Sequence, residues 1–384
     1  MRIAVNTRFL IKNKLEGIGW FTFETMKRIT QNHPEHEFIF LFDRDWDEDF
    51  IFSNNITPIK VWPPARHPYL WKYWFDYALP PVLKKVKPDV FLSTDGFLSL
   101  KSNVPTVLVI HDLGFESYPE HTPGIVSKFY RRFTPLYAHK AKKIITVSEF
   151  SKSDIMKRYK IDPAKIEVVF NGANERFVPL DEQVKTNTRI HYADGKNYFL
   201  YVGSIHPRKN INKLLAAFDV FKNETKSDMQ LVIAGRMAWK TEETKMIYEA
   251  MQNKNAVLFT GHLQMDSLTK VVGAADALVF PSFFEGFGIP VVEARYCNVP
   301  VLCSNTSSLP EVAGENAIFF DPHYEEDIKL AMMRFLEKKN NYRNENDAVI
   351  ARRQFNWDIA AQKIAETVFN TVKQTKSVHS RVTR

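Results

Sequence analysis

Residues 279–294 read VFPSFFEGFGIPVVEA. An apolar run, Leu278 to Phe280, stops at Pro281 and Ser282, turns on two glycines, and restarts at Pro290 with helical spacing. Proline suits the first turn of a helix, where its missing N–H costs nothing. Strand, glycine turn and helix in that order form the repeating unit of a parallel sheet. Glu285 then falls in the loop above the strand and Glu293 about one turn inside the helix. The amides of Gly286, Phe287, Gly288 and Ile289 lead into the helix start, where the field favours an anion. The two glycines let a ligand lie against the backbone. A carboxylate on each side can accept hydrogen bonds from hydroxyls, which amides cannot do. The stretch therefore reads as a clamp for something both phosphorylated and polyhydroxylated.

The same pattern recurs outward from this stretch. Apolar runs stand at 2–6, 38–42, 89–93, 106–110, 144–147 and 166–170, and again at 198–202, 230–234, 256–260, 276–280 and 299–303. Continuous β-branched runs separated by helical intervals indicate buried parallel strands in βαβ units. At 384 residues the chain exceeds one ordinary core. We expect an α/β fold of two doubly wound, Rossmann-like domains facing across a cleft, with ligands beyond the carboxyl ends of the strands. The first domain spans 1–180 and the second 198–355, with the polar stretch 181–197 as linker. Residues 356–384 read as a helix from Trp357 to about Val372, expected to pack back on the first domain, and then a basic tail.

A hydrophobic share of 45% with 25% charged residues describes a soluble globular protein. The net charge of +8 suits an anionic partner: nucleotide phosphates, nucleic acid or a membrane surface. Cys297 and Cys303 have neither metal-ligand nor disulfide-framework spacing, so they read as buried thiols in a reducing cytoplasm. No leader is expected ahead of the first strand, and no apolar stretch approaches the length of a bilayer span. The expected location is the cytoplasm, with a peripheral position on the inner face of the membrane left open.

Two further strand ends carry chemistry. The run 198–202 leads into Gly203-Ser204-Ile205-His206-Pro207-Arg208-Lys209-Asn210, with a helix expected from Ile211 and Asn210 as its N-cap. Two cations beside a positive helix end call for an anion between them. Arg208 can grip phosphate oxygens bidentately while Lys209 neutralises the remaining charge. After the first strand comes Glu16-Gly17-Ile18-Gly19-Trp20-Phe21, where Gly17 and Gly19 let backbone amides approach a phosphate. Thr22 stands where a dinucleotide fingerprint needs a third small residue, which weakens an oxidoreductase reading. His111, after an apolar strand and before Asp112, is the candidate polar group near a reacting carbon. Phosphate devices with flanking carboxylates fit a nucleotide sugar.

These motifs resemble family 4 of the retaining glycosyltransferases with the GT-B fold. The likeness rests on E-x7-E around Gly-Phe-Gly-Ile-Pro, on VGSIHPRKNI and on the GIGWF loop, and in order on VIHDL, TVSEFS, VVFNGAN, AGR, TGHL and FNWDIAAQKI. By that resemblance Glu285 holds donor-sugar hydroxyls, Glu293 holds the ribose, and Arg208 and Lys209 stabilise the diphosphate leaving group. Gly17 and Gly19 approach the diphosphate or acceptor, and His111 contacts the donor sugar. Gly203, Arg236, His262 and Leu263 complete the donor side, the last two beside the base. The GIGWF loop is most similar to a version found in mannosyltransferases that use GDP-mannose, with Trp20 where that version carries Arg. The resemblance implies front-face transfer with retention, no cofactor beyond the nucleotide diphosphate sugar, and no metal, since Arg208, Lys209 and helix amides can neutralise the diphosphate. It also implies a glycan or lipid-linked acceptor in polysaccharide or glycoconjugate biosynthesis.

Other signals compete. Asp43-Arg44-Asp45-Trp46-Asp47-Glu48-Asp49 holds overlapping Asp-x-Asp motifs of the kind the GT-A fold uses to bind metal and nucleotide; a solvated acidic loop is preferred. Residues 62–87 hold three tryptophans and one acid, with Leu70, Tyr73, Trp74 and Tyr77 on one helical face. Residues 128–143 carry six Lys or Arg and no acid. Both segments suit contact with a membrane surface. No nucleic-acid motif accompanies them, so no nucleic-acid partner is expected. The alternatives kept are a UDP-sugar transferase or epimerase of the same fold, a GT-A transferase, and a non-catalytic nucleotide- or nucleic-acid-binding protein.

Overall fold

Two parallel sheets account for the recurring apolar runs. The computed structural model describes residues 1–236, 242–338, 342 and 345–382. The chain forms two compact units, Met1–Asn171 with Asn356–Arg384, and Gly172–Phe355. In the first unit the strands are β1 (Arg2–Asn6), β2 (Glu37–Phe42), β3 (Ile56–Lys60), β4 (Val90–Ser93), β5 (Thr106–Val109), β6 (Lys143–Thr146) and β7 (Ile166–Val168). Their order across the sheet is β3-β2-β1-β4-β5-β6-β7, all parallel. The second unit holds β8 (Tyr198–Val202), β9 (Gln230–Ala234), β10 (Val257–Gly261), β11 (Ala277–Phe280), β12 (Val301–Ser304) and β13 (Ile318–Phe320), in the order β10-β9-β8-β11-β12-β13. Both orders reverse direction at the first strand of the unit, which is the doubly wound Rossmann arrangement.

Helices cover both faces of such sheets, so central strands are buried throughout. Every residue of β4, β5, β8 and β11 is buried. Eleven of these strands coincide, within a residue or two, with the apolar runs. The two without such a run, β3 and β13, are edge strands. β3 is ITPIK, buried only at Ile56 and carrying a proline that a central strand would not tolerate.

Three expectations are corrected. Residues 181–197 fall within the second unit and are not a linker between the units: a helix, Glu182–Ala193, fills most of them, capped by the Asp181 side chain. Its Thr188 and Ala193 are buried in the second unit, whose boundaries fall at 171/172 and 355/356. The final helix does not stop near Val372 but runs Trp357–Val382, and residues 383–384 of the expected tail lie outside the described residues. It does belong to the first unit, as expected. Ala360, Ile364, Val368 and Val372 form its buried stripe, each large aliphatic contributing about 1.5–3 kcal/mol when fully buried. Asp358 at its start pairs with Arg28 of the helix Gly17–Asn32 at 2.5 Å. Lastly, Leu70, Tyr73, Trp74 and Tyr77 do not share one environment. A π-turn at Trp74–Ala78 widens the helix there. Trp74 is wholly buried while Leu70, Tyr73 and Tyr77 are exposed.

Candidate functional site

In the second unit the decisive cluster forms where β8 and β11 lie side by side. β8 exits through Gly203 into a short 3-10 turn, Pro207–Lys209, capped by His206, whose Nδ1 accepts from the Arg208 amide at 3.2 Å. The turn presents Arg208 and Lys209 to the loop after β11. Lys209 Nζ lies 2.6 Å from Glu285 Oε1, and Arg208 donates to Glu285 Oε2 at 3.1 Å and also to the carbonyl of Phe284. Asn210 is not a side-chain cap as expected. Its backbone is left-handed, with φ of 59°, and its buried amide donates to the carbonyls of Pro281 (3.1 Å) and Pro322 (2.8 Å). It thus ties the cationic turn to the loop that carries Glu285.

Glu285 sits in a cradle that sequence reasoning missed. Its amide donates to Ser307 Oγ at 2.9 Å, and Ser308 Oγ donates to the carbonyls of Glu285 (2.9 Å) and Phe287 (3.0 Å). Both serines follow β12 in the run SNTSSLP, a serine-rich turn at a strand end that could have been flagged. Gly288 opens the helix Ile289–Tyr296 with φ of 104°, and a Cβ there would meet Leu309 at 2.8 Å, so no other residue fits without strain. Pro290 lies in the first turn of that helix, as expected. The Phe287 side chain is buried edge-on against Phe355, so only its backbone is available to a ligand.

The two glutamates occupy opposite electrostatic states. Burial alone would raise the Glu285 carboxyl, but the charges of Lys209 and Arg208 outweigh it and hold it at about 2. Glu293 is half-buried, has no ion-pair partner among the described residues, and burial pushes its carboxyl up to about 8. At neutral pH one carboxyl is therefore ionised and the other holds a proton. Such separation is a mark of functional carboxylates. Of the other residues expected on the donor side, Gly203 and Arg236 follow β8 and β9, their loops joined by the Ile205 amide and the Arg236 carbonyl at 2.9 Å. His262 and Leu263 follow the edge strand β10, with β9 and β8 between it and β11.

The first unit assembles a separate group at its own strand ends. Gly17 is the first residue of the helix Gly17–Asn32, with open space around its Cα. Gly19 has a packing reason instead: a Cβ would lie 2.8 Å from the Phe9 carbonyl. Two residues on, Phe21 meets the His111 ring edge-on at 4.9 Å. His111 Nε2 lies 2.9 Å from the Thr94 carbonyl, which can only accept, so Nε2 carries the proton and Nδ1 keeps its lone pair. Burial lowers the His111 pKa, so the ring is neutral at pH 7. The imidazole is held in one tautomer and one orientation.

The Asp-rich loop does not converge on a common point. Asp43 is buried against Arg44 and accepts from the Ala65 amide, Asp45 pairs with Lys60, and Asp47 and Asp49 pair with Lys12. Asp43 and Asp45 each have a cation of their own and Asp47 and Asp49 share Lys12, so the carboxylates are ion-paired one by one rather than gathered as a ligand set.

Two parallel doubly wound sheets with a Lys/Arg/Glu cluster on the second define a GT-B glycosyltransferase. Comparison with known proteins bears this out: residues 16–177 match the family described as Glycosyltransferase Family 4, and residues 185–352 match Glycosyl transferases group 1. The chain belongs to this glycosyltransferase family. It is 29% identical over 256 residues to O-antigen chain mannosyltransferase B of Escherichia coli, covering 66% of this chain and 67% of that one. It is 28% identical over 299 residues to O-antigen chain mannosyltransferase RfbU of Salmonella typhimurium, covering 76% and 78%. The crystal structure of Anabaena HepE in complex with UDP and glucose shares the fold, with a TM-score of 0.73 at 17% identity over 96% of this chain and 100% of that one.

Proposed function

We propose that the protein is a retaining hexosyltransferase that moves mannose from GDP-mannose to a glycan or lipid-linked acceptor, with no metal at the diphosphate. The observation that carries this reading is the convergence of Arg208 and Lys209 on Glu285 beside the start of the helix Ile289–Tyr296. Two cations held together by one buried carboxylate form a site that a diphosphate can enter by exchanging for that carboxylate. As the phosphates take Arg208 and Lys209, Glu285 becomes free to accept from donor-sugar hydroxyls. Protonated Glu293 can donate as well as accept toward the ribose. Neutral His111, with its Nδ1 lone pair, suits a group that touches the sugar near its reacting carbon. The choice of mannose rests on the named activity of the relatives and on the GIGWF loop; a UDP-sugar donor is the second reading, favoured by the nucleotide seen with the Anabaena relative in fold.

Work at a membrane surface is part of the same proposal. Trp62, Tyr69, Tyr73 and Tyr77 are between half and three-quarters exposed, with Lys84, Lys85 and Lys87 exposed nearby. Trp71 stacks on Tyr130 and so joins this surface to the helix Gly124–Lys140, which exposes Lys128, Arg131 and Arg132. No helix among the described residues is long and apolar enough to cross a membrane.

Thermal unfolding with GDP and with UDP, each in EDTA, tests the proposal. A nucleotide at a hundred times its Kd stabilises the folded state by about 2.7 kcal/mol. A shift with GDP alone supports GDP-mannose, and a shift with UDP alone supports the second reading. No shift with either until Mn²⁺ or Mg²⁺ is added refutes the metal-free site.

A further inference from the structure

We propose that His33, Glu35 and His36 form a binding site for a divalent cation of the zinc class, remote from the transfer chemistry. The three side chains belong to the turn between the helix Gly17–Asn32 and β2, at the amino-terminal edge of the first sheet. His111 and Gly17 lie at the opposite, carboxyl edge of the same sheet. The ligand-capable atoms of His33, Glu35 and His36 all lie within 4.8 Å of one another. Glu35 Oε1 is 3.4 Å from His33 Nδ1 and 3.5 Å from His36 Nε2. Those separations are long for hydrogen bonds. They match the edge of a tetrahedron drawn around an ion bound at about 2.0–2.1 Å, which is about 3.4 Å. Two imidazoles and a carboxylate select zinc or a neighbouring late transition metal over Ca²⁺ or Mg²⁺, which take oxygen ligands.

The turn is held in shape by groups that are not themselves ligands. Asn55 Nδ2 donates to the carbonyls of Thr30 (3.1 Å), His33 (3.0 Å) and His36 (3.0 Å), fixing the backbone on both sides of Pro34. The two imidazoles lie nearly parallel, 12° apart, and each meets the Phe369 ring edge-on at 4.8 Å. Their planes are thus set by an apolar wall. Glu35 is 59% exposed, so a cation can enter from solvent and a water can complete four-coordination. Phe369 belongs to the helix Trp357–Val382. An ion at this turn would therefore brace the final helix against the first sheet, as a structural rather than a reacting metal.

The test uses untagged, metal-stripped full-length protein titrated with Zn²⁺ by calorimetry, with Co²⁺ absorption to report coordination geometry. We expect one ion per chain, strong visible bands typical of four-coordinate Co²⁺, and a rise of several degrees in the unfolding midpoint. Glu35→Gln and His36→Gln should each weaken Zn²⁺ binding at least about tenfold. Glu35→Gln touches no core packing, so its metal-free midpoint should equal that of the wild type, and it decides the matter if His36→Gln misfolds. Wild-type protein that binds no stoichiometric ion, or Glu35→Gln that binds Zn²⁺ as tightly as wild type, overturns the site.

Discussion

Replacing Glu293 by Gln should make the protein more stable at alkaline pH and leave it nearly unchanged at acid pH. Burial raises the Glu293 carboxyl from its ordinary value of 4.5 to about 8 in the folded state. A folded-state pKa above the unfolded one means that the folded protein binds the extra proton. Its contribution is fully present below about pH 4.5 and is lost as the pH rises through 8. Each pKa unit corresponds to about 1.36 kcal/mol, so the difference of about 3.5 units sets a ceiling of about 5 kcal/mol. The side chain still reaches solvent in part, and screening there brings the expected loss to roughly 2–3 kcal/mol. Glutamine keeps the shape and the hydrogen-bonding atoms but has nothing to titrate. For a unit of this size about 1 kcal/mol moves the unfolding midpoint by roughly 2–4 °C. Midpoints of wild type and Glu293→Gln should therefore agree near pH 5 and diverge by roughly 4–12 °C at pH 9, the variant being higher. Curves that stay parallel from pH 5 to 9 would falsify the assignment of a proton to Glu293 at neutral pH.

Other perturbations separate the remaining roles. Glu285→Gln should abolish transfer, by at least about a hundredfold in kcat, yet keep nucleoside diphosphate binding, because it frees Arg208 and Lys209 from their carboxylate; retained transfer removes Glu285 from the mechanism. The same variant should respond to acid oppositely to Glu293→Gln. The Glu285 carboxyl is held at about 2, so its stabilisation is present above about pH 4.5 and lost as the pH falls through 2, and a wild-type protein no more acid-sensitive than the variant contradicts the ion cluster. Asp95→Ala strips the partner from buried Arg8, which lies 2.6 Å away among the rings of Phe9, Trp74, Phe75 and Phe97. It should cost about 3–5 kcal/mol in an unfolding experiment, and a loss below about 1 kcal/mol would mean that the pair is not desolvated. Trp62→Ser with Tyr73→Ser and Tyr77→Ser should reduce sedimentation with anionic vesicles while leaving the unfolding midpoint in place; undiminished sedimentation removes this surface from the membrane proposal.

Much of the architecture was readable because parallel strands covered on both faces must be apolar throughout. Eleven strands announced themselves in that way. β3 did not, because ITPIK carries no continuous apolar run, and β13 did not, because its apolar strand, Ile318–Phe320, is only three residues long. The helix Glu182–Ala193 was hidden for a related reason: its sequence is polar, and only a few positions meet the second unit. The early glycines show the limit of motif reading. Gly17 and Gly19 look equivalent in the chain, yet one stands in open space and the other packs against a carbonyl.

The residue types of the proposed site can be read from the sequence alone, since binding a phosphate calls for cations such as Arg208 and Lys209 and binding hydroxyls calls for carboxylates. Their pairing does not. Lys209 and Glu285 are 76 positions apart, and only the strand order that sets β8 beside β11 brings them within 2.6 Å. Ser307 and Ser308 reach the same loop through the neighbouring strand β12. Nor can the spelling E-x7-E distinguish its two glutamates. Tertiary structure sets Glu285 against two cations and half-buries Glu293 with no ion-pair partner among the described residues, so charge lowers the one carboxyl and burial raises the other.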